Sequence, residues 1–389
     1  GKGGVKEEEK ETETVLHSFG SGGDGWFPIG DLVKDGTNYY GVTFSGGSDG
    51  GGGTVFKVDS SGRESVLHSF YAPPFDSNSP SPDGDFPQGG VILSANDNLY
   101  GSTSVGGTSK RCSLYGSDYS GCGTVFKLTT DGTETVLYRF CSQPGCTDGA
   151  VPIGSLFMDT SGNLYGVTNG PRSPYGSGAI FELSPKDGDW VEQILYNFRP
   201  GDNGYNPAAG VVMYNGSLFG TARLGGIYDA GVIYKLSPNP PDGWTYKVIH
   251  RFAQLDGANP TELLMDSTGN LYGTTASGGI PGGCPISNQF PSGCGVVFEY
   301  STGGEFSVVY RFAGGTDGSA PLAKLLIDSS GNLYGTTYSG GGTGCGVGCG
   351  TVFELSPQGG GHWTESILYN FNVENGVNGA SPKSALVPY

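Results

Sequence analysis

The sequence has no run of about 18 apolar residues, which excludes a transmembrane helix. Basic residues are scarce, with 20 Lys and Arg against 37 Asp and Glu, and the net charge is −17. Nucleic acid and anionic membrane surfaces both require clustered positive charge, so neither is an expected partner. No signal peptide is visible, and residues Lys2 to Lys10 are charged, so we expect any export leader to have been removed or to lie outside the sequence.

Helical periodicity is also missing, because no stretch repeats apolar residues at helical spacing. The sequence contains neither an HExxH metal motif nor a phosphate-binding loop, and we predict no cofactor and no metal site. His17, His68 and His250 occupy a position that tyrosine fills in other copies of the repeat described below, which is typical of core aromatic residues. The sequence does not decide whether the protein is an enzyme, and it favours a protein without catalytic activity.

What the sequence does contain is cysteine in close pairs. The eight cysteines predict four disulfides between neighbours, and these are Cys112–Cys122, Cys141–Cys146, Cys284–Cys294 and Cys345–Cys349. Loop closure favours partners that lie a few residues apart. Zinc is the alternative, since it also binds cysteines at short spacing, but no Cys-x-x-Cys is present. Disulfides imply an oxidising compartment, so we predict a secreted, extracellular or cell-surface protein.

Glycine (73 residues) and aromatic residues (12%) recur in one fixed order, which indicates an internal repeat. Each copy has four short segments, a to d. Segment a is an apolar run after a proline, as at Leu32-Val33, and segment b is aromatic-Gly-x-Thr, as at Tyr40–Thr43. Segment c is Gly-Thr-Val-Phe, as at Gly53–Phe56, and segment d is Val-Leu-His/Tyr-x-Phe, as in the segment that ends at Phe70. Their Val, Ile, Tyr, Phe and Thr content and their Gly, Asp, Ser or Pro boundaries predict β-strands.

Consecutive copies of segment b lie 53 to 65 residues apart. Four strands per repeat of about 50 residues predict an all-β β-propeller of four-stranded antiparallel blades. Six copies are complete, and an extra d segment (Thr14–Phe19) and an extra a segment (Pro382–Val387) predict a composite closing blade. We therefore expect about seven blades, with a six-bladed ring as the alternative. Residues 12–389 would form a single β-propeller domain, and residues 1–11 an N-terminal tail or degenerate strand.

The cycle NLYGTT…GG…GTVFEL…VLYRF…DG..P resembles a known tandem repeat. Its best copies are Asn270–Thr275, Asn332–Thr337, Gly123–Leu128 and Val136–Phe140. The chain is similar to the repeat named for Gloeobacter and Verrucomicrobia, which is found in bacterial "choice-of-anchor" surface proteins. The resemblance extends from about Thr12 to the end of the sequence. It implies an exported, surface-associated protein, and it implies no catalytic residues.

Because successive strands alternate in direction, the b–c and d–a connections share one face of the predicted propeller. That face carries the long connections and the cysteines, so it is the expected binding surface. Arginines there could bind a carboxylate or an acidic sugar, and tyrosines could stack on sugar rings. The candidate binding residues are Arg111, Arg172, Arg223, Tyr115, Tyr175, Tyr228 and Tyr338.

Three charged residues break the repeat near the predicted central channel. Most copies carry a small residue three positions after the proline of segment a, whereas Asp31 and Lys324 are charged there and Glu262 is close by. If the a strands line the channel, these residues lie at its mouth; alternatively, they only pair with one another. The Asp-Gly-x-x-Pro element of the d–a connections is interpreted as a repeated turn rather than a cation site.

These observations predict an extracellular recognition protein. It would bind a glycan or a surface protein through the loop-rich, disulfide-bonded face. One alternative is a secreted carbohydrate-active enzyme that uses channel carboxylates. The other is a structural surface protein, in which an incomplete blade accepts a strand from a neighbour and builds a filament. The sequence predicts neither the identity of the ligand nor the oligomeric state.

Overall fold

The structure is a computed structural model. It describes residues 14–20, 23–48, 51–71, 81–107, 112–114, 117–119, 121–170, 177–284, 292–342, 345–346, 348–372 and 379–388. Six antiparallel sheets follow one another along the chain, and each forms one blade of an all-β β-propeller. The only helical segments in these ranges are two single 3-10 turns, at Pro144–Cys146 and Gly315–Asp317. No helix in the described ranges is long and apolar enough to cross a membrane.

In each blade the chain runs from the inner strand to the outer strand. Blade 1 contains β1 (Trp26–Asp35), β2 (Asn38–Ser45), β3 (Thr54–Val58) and β4 (Glu64–Ser69). Blade 2 contains β5 (Asp85–Pro87), β6 (Ile92–Leu93), β7 (Asn98–Val105), β10 (Thr124–Thr129) and β11 (Glu134–Arg139), with a small hairpin of β8 (Cys112–Leu114) and β9 (Ser117–Tyr119). Blade 3 contains β12 (Pro152–Met158), β13 (Leu164–Thr168), β14 (Ala179–Lys186) and β15 (Asp189–Asn197).

The second half of the chain repeats this order. Blade 4 contains β16 (Tyr205–Pro207), β17 (Val212–Tyr214), β18 (Ser217–Leu224), β19 (Val232–Pro238) and β20 (Trp244–Arg251). Blade 5 contains β21 (Ala258–Met265), β22 (Leu271–Ser277), β23 (Val296–Tyr300) and β24 (Phe306–Arg311). Blade 6 contains β25 (Leu326–Ile327), β26 (Leu333–Thr337), β27 (Thr351–Gly359) and β28 (His362–Asn370). In blades 2 and 4 the inner strand is split into two short pieces that pair with the same neighbour.

The aromatic-Gly motif of segment b exists because an aromatic ring from strand c lies on the glycine. A Cβ atom built on Gly41 would lie 2.6 Å from the ring of Phe56, so a larger residue does not fit. The ring of strand c then meets a phenylalanine from the outer strand of the preceding blade, as Phe126 meets Phe70 at 5.2 Å between centroids. This contact recurs between neighbouring blades and builds the core that joins them. The repeated pairs are Phe70–Phe126, Phe140–Phe181, Phe198–Tyr234, Phe252–Phe298 and Phe312–Phe353.

The predicted seventh, composite blade does not form, so the prediction of seven blades is wrong and the six-bladed alternative is confirmed. The described parts of the two terminal segments, residues 14–25 and 379–388, contain no strand. They still pack onto the ring, since Phe19 lies 4.7 Å from Phe56 between ring centroids and Pro382 lies against Gly350 of blade 6. Strand-like sequence is therefore not sufficient for a blade, because a strand also requires a hydrogen-bonded neighbour.

The four predicted disulfides are confirmed, with sulfur atoms bonded within each of the four neighbouring pairs. No free cysteine is present. Three cysteines occupy the same position in different blades, two residues before strand c begins. They are Cys122, Cys294 and Cys349. All three are fully buried. Three of the four disulfides therefore fasten b–c connections to the starts of core strands.

Candidate functional site

The b–c and d–a connections form one side of the molecule, which we call the loop face. The b–c connections are residues 46–53, 106–123, 169–178, 225–231, 278–295 and 338–350. The d–a connections are residues 20–25, 70–84, 140–151, 198–204, 252–257 and 312–325. The a–b and c–d turns form the opposite side, which we call the turn face. Every cysteine lies on the loop face.

Four of the seven binding residues predicted from the sequence lie outside the described residues, namely Arg111, Tyr115, Arg172 and Tyr175. The other three are on the loop face but in different blades. Tyr228 of blade 4 is 62% exposed, and Arg223 at the end of β18 is exposed as well. Tyr338 of blade 6 is half-buried, and the Lys383 ammonium lies 5.3 Å from its ring centroid.

The structure reveals aromatic residues on the loop face that the sequence interpretation missed. Trp26 is 57% exposed and Phe27 is 71% exposed, at the start of β1. In the β1–β2 ladder Trp26 pairs with Ser45 and Pro28 with Thr43, so Phe27 lies opposite Phe44. Phe44 stacks on Phe86 of blade 2, with centroids 5.0 Å apart and an interplanar angle of 17°. We call Trp26, Phe27, Phe44 and Phe86, which lie at the loop-face ends of β1, β2 and β5, the aromatic platform.

Two residues of the platform have an unusual backbone conformation. Phe27 and Phe86 each precede the proline of an inner strand, and both have left-handed φ values, 57° and 54°. Non-glycine residues rarely adopt this conformation, and it costs about 1–2 kcal/mol. It recurs before the proline that precedes each segment a, at Phe27, Phe86, Val151, Asn206, Asn259, Ala320 and Ser381.

A hydrogen bond to the neighbouring blade accompanies this conformation. For example, the Phe86 N–H donates to the Gly52 carbonyl at 2.8 Å, and the Asn259 N–H donates to the Ala230 carbonyl at 2.9 Å. The Trp-Phe-Pro sequence of blade 1 could have predicted the platform. At the two positions before the proline, other copies have smaller or buried residues. Ala150, Val151 and Ala258 are among these, and all three are buried.

The histidine or tyrosine near the end of segment d contacts an aspartate in the following d–a connection at five places, namely His17, His68, Tyr138, His250 and Tyr310. His17 Nε2 lies 3.0 Å from Asp24 Oδ2, and the Tyr138 hydroxyl donates to Asp148 Oδ2 at 2.9 Å. The same aspartates accept backbone N–H groups of the turn, as Asp148 Oδ2 does from Ser142 at 2.8 Å. These aspartates therefore fix turns, in agreement with the turn interpretation of the Asp-Gly-x-x-Pro element.

Half-buried carboxyl groups lie in the first half of several outer strands. Burial, with a smaller contribution from neighbouring aspartates, raises the pKa values of Glu134, Glu192 and Glu365 to about 7. Asp148 faces Glu192 in this way, and Asp317 faces Glu365. Close to the aromatic platform, burial raises the pKa of Asp85 to about 8, and Asp83 adds to this rise.

The three charged residues predicted for the channel mouth are close together. Lys324 Nζ lies 3.1 Å from Glu262 Oε1, and Asp31 Oδ1 accepts the backbone N–H of Ala385 at 3.1 Å. The negative charge of Glu262 raises the pKa of the Lys324 ammonium. Glu262 and Lys324 therefore form an ion pair, whereas Asp31 contacts the C-terminal segment.

The sulfur atoms of Cys122, Cys141 and Cys146 lie within 4.8 Å of one another, which is the spacing of a metal site. All three atoms are in disulfides, however, so they do not provide the thiolates that zinc requires. Two disulfides, one within the b–c connection of blade 2 and one within the d–a connection that follows it, therefore lie next to each other.

Comparison with known proteins identifies the repeat. The profile described as the Gloeobacter/Verrucomicrobia repeat matches residues 2–170 and 112–287. No curated protein matches the chain.

Solved structures show the likeness in fold. A protein from Lactobacillus plantarum is 13% identical with a TM-score of 0.54, and the match covers 92% of this chain and 86% of that one. A luciferin-regenerating enzyme is 12% identical with a TM-score of 0.49, covering 87% of this chain and 93% of the other. A gluconolactonase-like protein is 12% identical with a TM-score of 0.44, covering 81% and 86%. At these identities the likeness concerns the fold alone.

Proposed function

The chain belongs to the Gloeobacter/Verrucomicrobia repeat family, and we propose that it is an extracellular recognition protein that binds a glycan through the aromatic platform. The observation that carries this proposal is the exposure of Trp26 and Phe27, at 57% and 71% of their surface. Large aromatic side chains are the residues that most often dominate binding energy at recognition surfaces. Connections on a rigid scaffold are also the usual place for binding.

The chemistry of the platform favours a sugar. The flat apolar face of an aromatic ring matches the C–H face of a pyranose ring, and a row of rings can hold several sugar units. The platform spans two blades through the Phe44–Phe86 stack, so it is extended rather than a single ring. The net charge of −17 disfavours polyanionic ligands such as nucleic acid.

The extracellular location is proposed on the four disulfides, which persist in oxidising compartments. All of them fasten loop-face connections. A binding surface that is covalently held loses less conformational entropy when it binds a ligand. This supports the loop face as the recognition surface.

The test is binding of the purified protein to a glycan array, followed by titration calorimetry with the best glycan. We expect Trp26→Ala and Phe27→Ala each to weaken binding at least tenfold. Val191→Ala is the matched control, because Val191 is 48% exposed but lies on the outer strand β15. Arg223→Ala and Tyr228→Ala show whether the blade 4 residues contribute.

The outcomes separate the possibilities. Selective glycan binding that survives both platform substitutions would overturn the platform as the site. Absence of binding to any glycan on the array, with a folded protein, would overturn the glycan proposal in favour of a protein partner. Circular dichroism of each variant verifies the fold.

A further inference from the structure

A cavity lies on the turn face, between blades 4 and 5. Its volume is about 510 Å³, within the range of small-molecule sites. Blade 4 forms one wall with the faces of β18, β19 and β20, and blade 5 forms the other with Gly269 and the turn at residues 301–304. The cavity is on the opposite side of the propeller from the aromatic platform, so it is independent of the proposed function.

No tryptophan fills the cavity from blade 5. Blades 3, 4 and 6 have Trp190, Trp244 and Trp363 eight residues before the last phenylalanine of segment d, whereas blade 5 has Gly304, as blades 1 and 2 have Gly62 and Gly132. Trp190 and Trp244 each lie against a segment b tyrosine of the preceding blade, with centroids 6.5 Å apart. Glycine at position 304 leaves this volume beside Phe219 unfilled.

The wall of blade 4 is basic in an otherwise acidic protein. Lys235 and Lys247 are direct partners in the β19–β20 ladder. Like charges opposite each other in a ladder are destabilising. The equivalent pairs of the other blades carry at most one charge, and they are Lys57–Ser65, Lys127–Thr135, Glu182–Gln193, Glu299–Ser307 and Glu354–Ser366.

No carboxylate neutralises this lysine pair within the described part of the chain. Neither lysine forms an ion pair there, and no Asp or Glu is among the described residues that line the cavity. Lys235 Nζ lies 5.4 Å from the ring centroid of Phe219, which orients the ammonium over the cavity wall.

Two further differences between blade 4 and other blades remove a carboxylate and a tyrosine hydroxyl from the cavity wall. Blades 3, 5 and 6 open their a–b turn with Asp159, Asp266 and Asp328, and blade 4 has Tyr214. In blades 3 and 6 the segment b tyrosine donates its hydroxyl to this aspartate, at 3.3 Å for Tyr165 and 3.1 Å for Tyr334. Blade 4 has Phe219 instead, without a hydroxyl. Lys247, Tyr214 and Phe219 therefore distinguish this blade junction from the others, and with Gly304 they make it an open, basic, aromatic cavity.

We propose that this cavity binds a small anionic sugar, whose carboxylate or sulfate group lies between Lys235 and Lys247. The ring of the sugar would contact the aromatic residues Tyr214, Phe219 and Tyr300, which line the cavity. The hydroxyl of Thr245, and that of Ser237, which lies 3.0 Å from Ser217 Oγ, are on the same wall and would contact the sugar hydroxyls. A bound anion would also relieve the repulsion between the two ammonium groups.

The experiment is titration calorimetry at low ionic strength with three probes: glucuronate, glucose as its neutral match, and inorganic sulfate. We expect glucuronate to bind at least tenfold more tightly than glucose and sulfate. Added salt should weaken the interaction. Lys247→Gln should reduce glucuronate affinity at least tenfold, and Lys235→Gln should do the same.

Lys57→Gln is the matched control, since Lys57 occupies the position of Lys235 in blade 1, and it should leave the affinity unchanged. Lys247→Gln removes a repulsion, so the variant should fold and melt no lower than the parent protein. Equal binding of glucose, absence of glucuronate binding, or unchanged affinity in both lysine variants would each overturn the proposal. Tighter binding of bare sulfate than of glucuronate would overturn the role of the sugar ring. The Trp26→Ala variant should retain glucuronate binding, which separates this site from the aromatic platform.

Discussion

Asp31 in blade 1 accepts a hydrogen bond from the backbone N–H of Ala385, 354 residues later in the chain, at 3.1 Å. The segment that contains Ala385 also contacts blade 6, where the Ser381 N–H donates to the Cys349 carbonyl at 2.6 Å. The last and first blades are therefore connected through an extended segment that forms no strand in residues 379–388. The Lys34 ammonium of blade 1 also donates to the Pro388 carbonyl of this segment, at 3.4 Å.

We expect Asp31→Ala to lower the free energy of unfolding by about 1–2 kcal/mol, because a hydrogen bond to a charged acceptor is lost. Asp31→Asn is the control, since its amide oxygen can still accept the Ala385 N–H. Denaturant unfolding of the three proteins measures the difference. Equal stability of Asp31→Ala and the parent protein would show that this contact does not hold the terminal segment.

Stability should fall as the pH rises from about 5 to 8. Burial raises the pKa values of Glu134, Glu192 and Glu365 from 4.5 to about 7 in the folded protein. The folded state therefore binds these protons more tightly than the unfolded state, and the stabilisation is complete below the unfolded pKa. It is lost as the pH passes through the folded pKa. After solvent screening we expect about 1 kcal/mol per carboxyl group.

Glu192→Gln tests this pH dependence, because a neutral amide replaces the titrating carboxyl group. The difference in unfolding free energy between pH 5 and pH 8 should be smaller in this variant than in the parent protein. Glu305→Gln is the matched control at an exposed position in a c–d turn, and its pH dependence should equal that of the parent protein. An unchanged slope in Glu192→Gln would contradict the assignment.

Replacing one residue of left-handed conformation by glycine should relieve backbone strain and stabilise the protein. Ala320 has a φ of 54°, where glycine has no steric penalty. We expect Ala320→Gly to raise the unfolding free energy by up to about 1 kcal/mol. Ala323→Gly, three residues later, is the control: Ala323 is buried and is not among the left-handed residues, so its substitution should destabilise by about 1 kcal/mol. Thermal unfolding that ranks the two variants in the opposite order would refute the argument.

The disulfide between Cys284 and Cys294 should stabilise the folded state by closing the loop between them, with a sequence separation of 10. For a loop of this length the chain-entropy relation gives about 3 kcal/mol. The double variant Cys284→Ser with Cys294→Ser should lose this amount in denaturant unfolding. Thiol titration of the denatured, unreduced parent protein should detect no free thiol. A double variant as stable as the parent would contradict the chain-entropy relation for this bond.

The strand order and the disulfide pairing could be predicted from local sequence. The aromatic-Gly motif predicted strand b because the glycine must admit the ring of strand c, as Gly41 admits Phe56. The cysteines were paired correctly because the partners are close in sequence and loop closure favours them. Candidate sites were harder to predict: the tyrosines and arginines chosen on the loop face did not include Trp26 and Phe27, whose exposure depends on what the neighbouring blade covers.

The sequence by itself determined the repeat, the all-β class, the strand order within a blade and the four disulfides, because each depends on residues close together in the chain. The tertiary structure decided the number of blades, since Thr14–Phe19 and Pro382–Val387 have the sequence of strands but need a paired neighbour to become strands. It also decided both proposed sites. The exposure of Trp26 and the opposition of Lys235 and Lys247 arise from packing and register, and these join residues through space rather than along the chain.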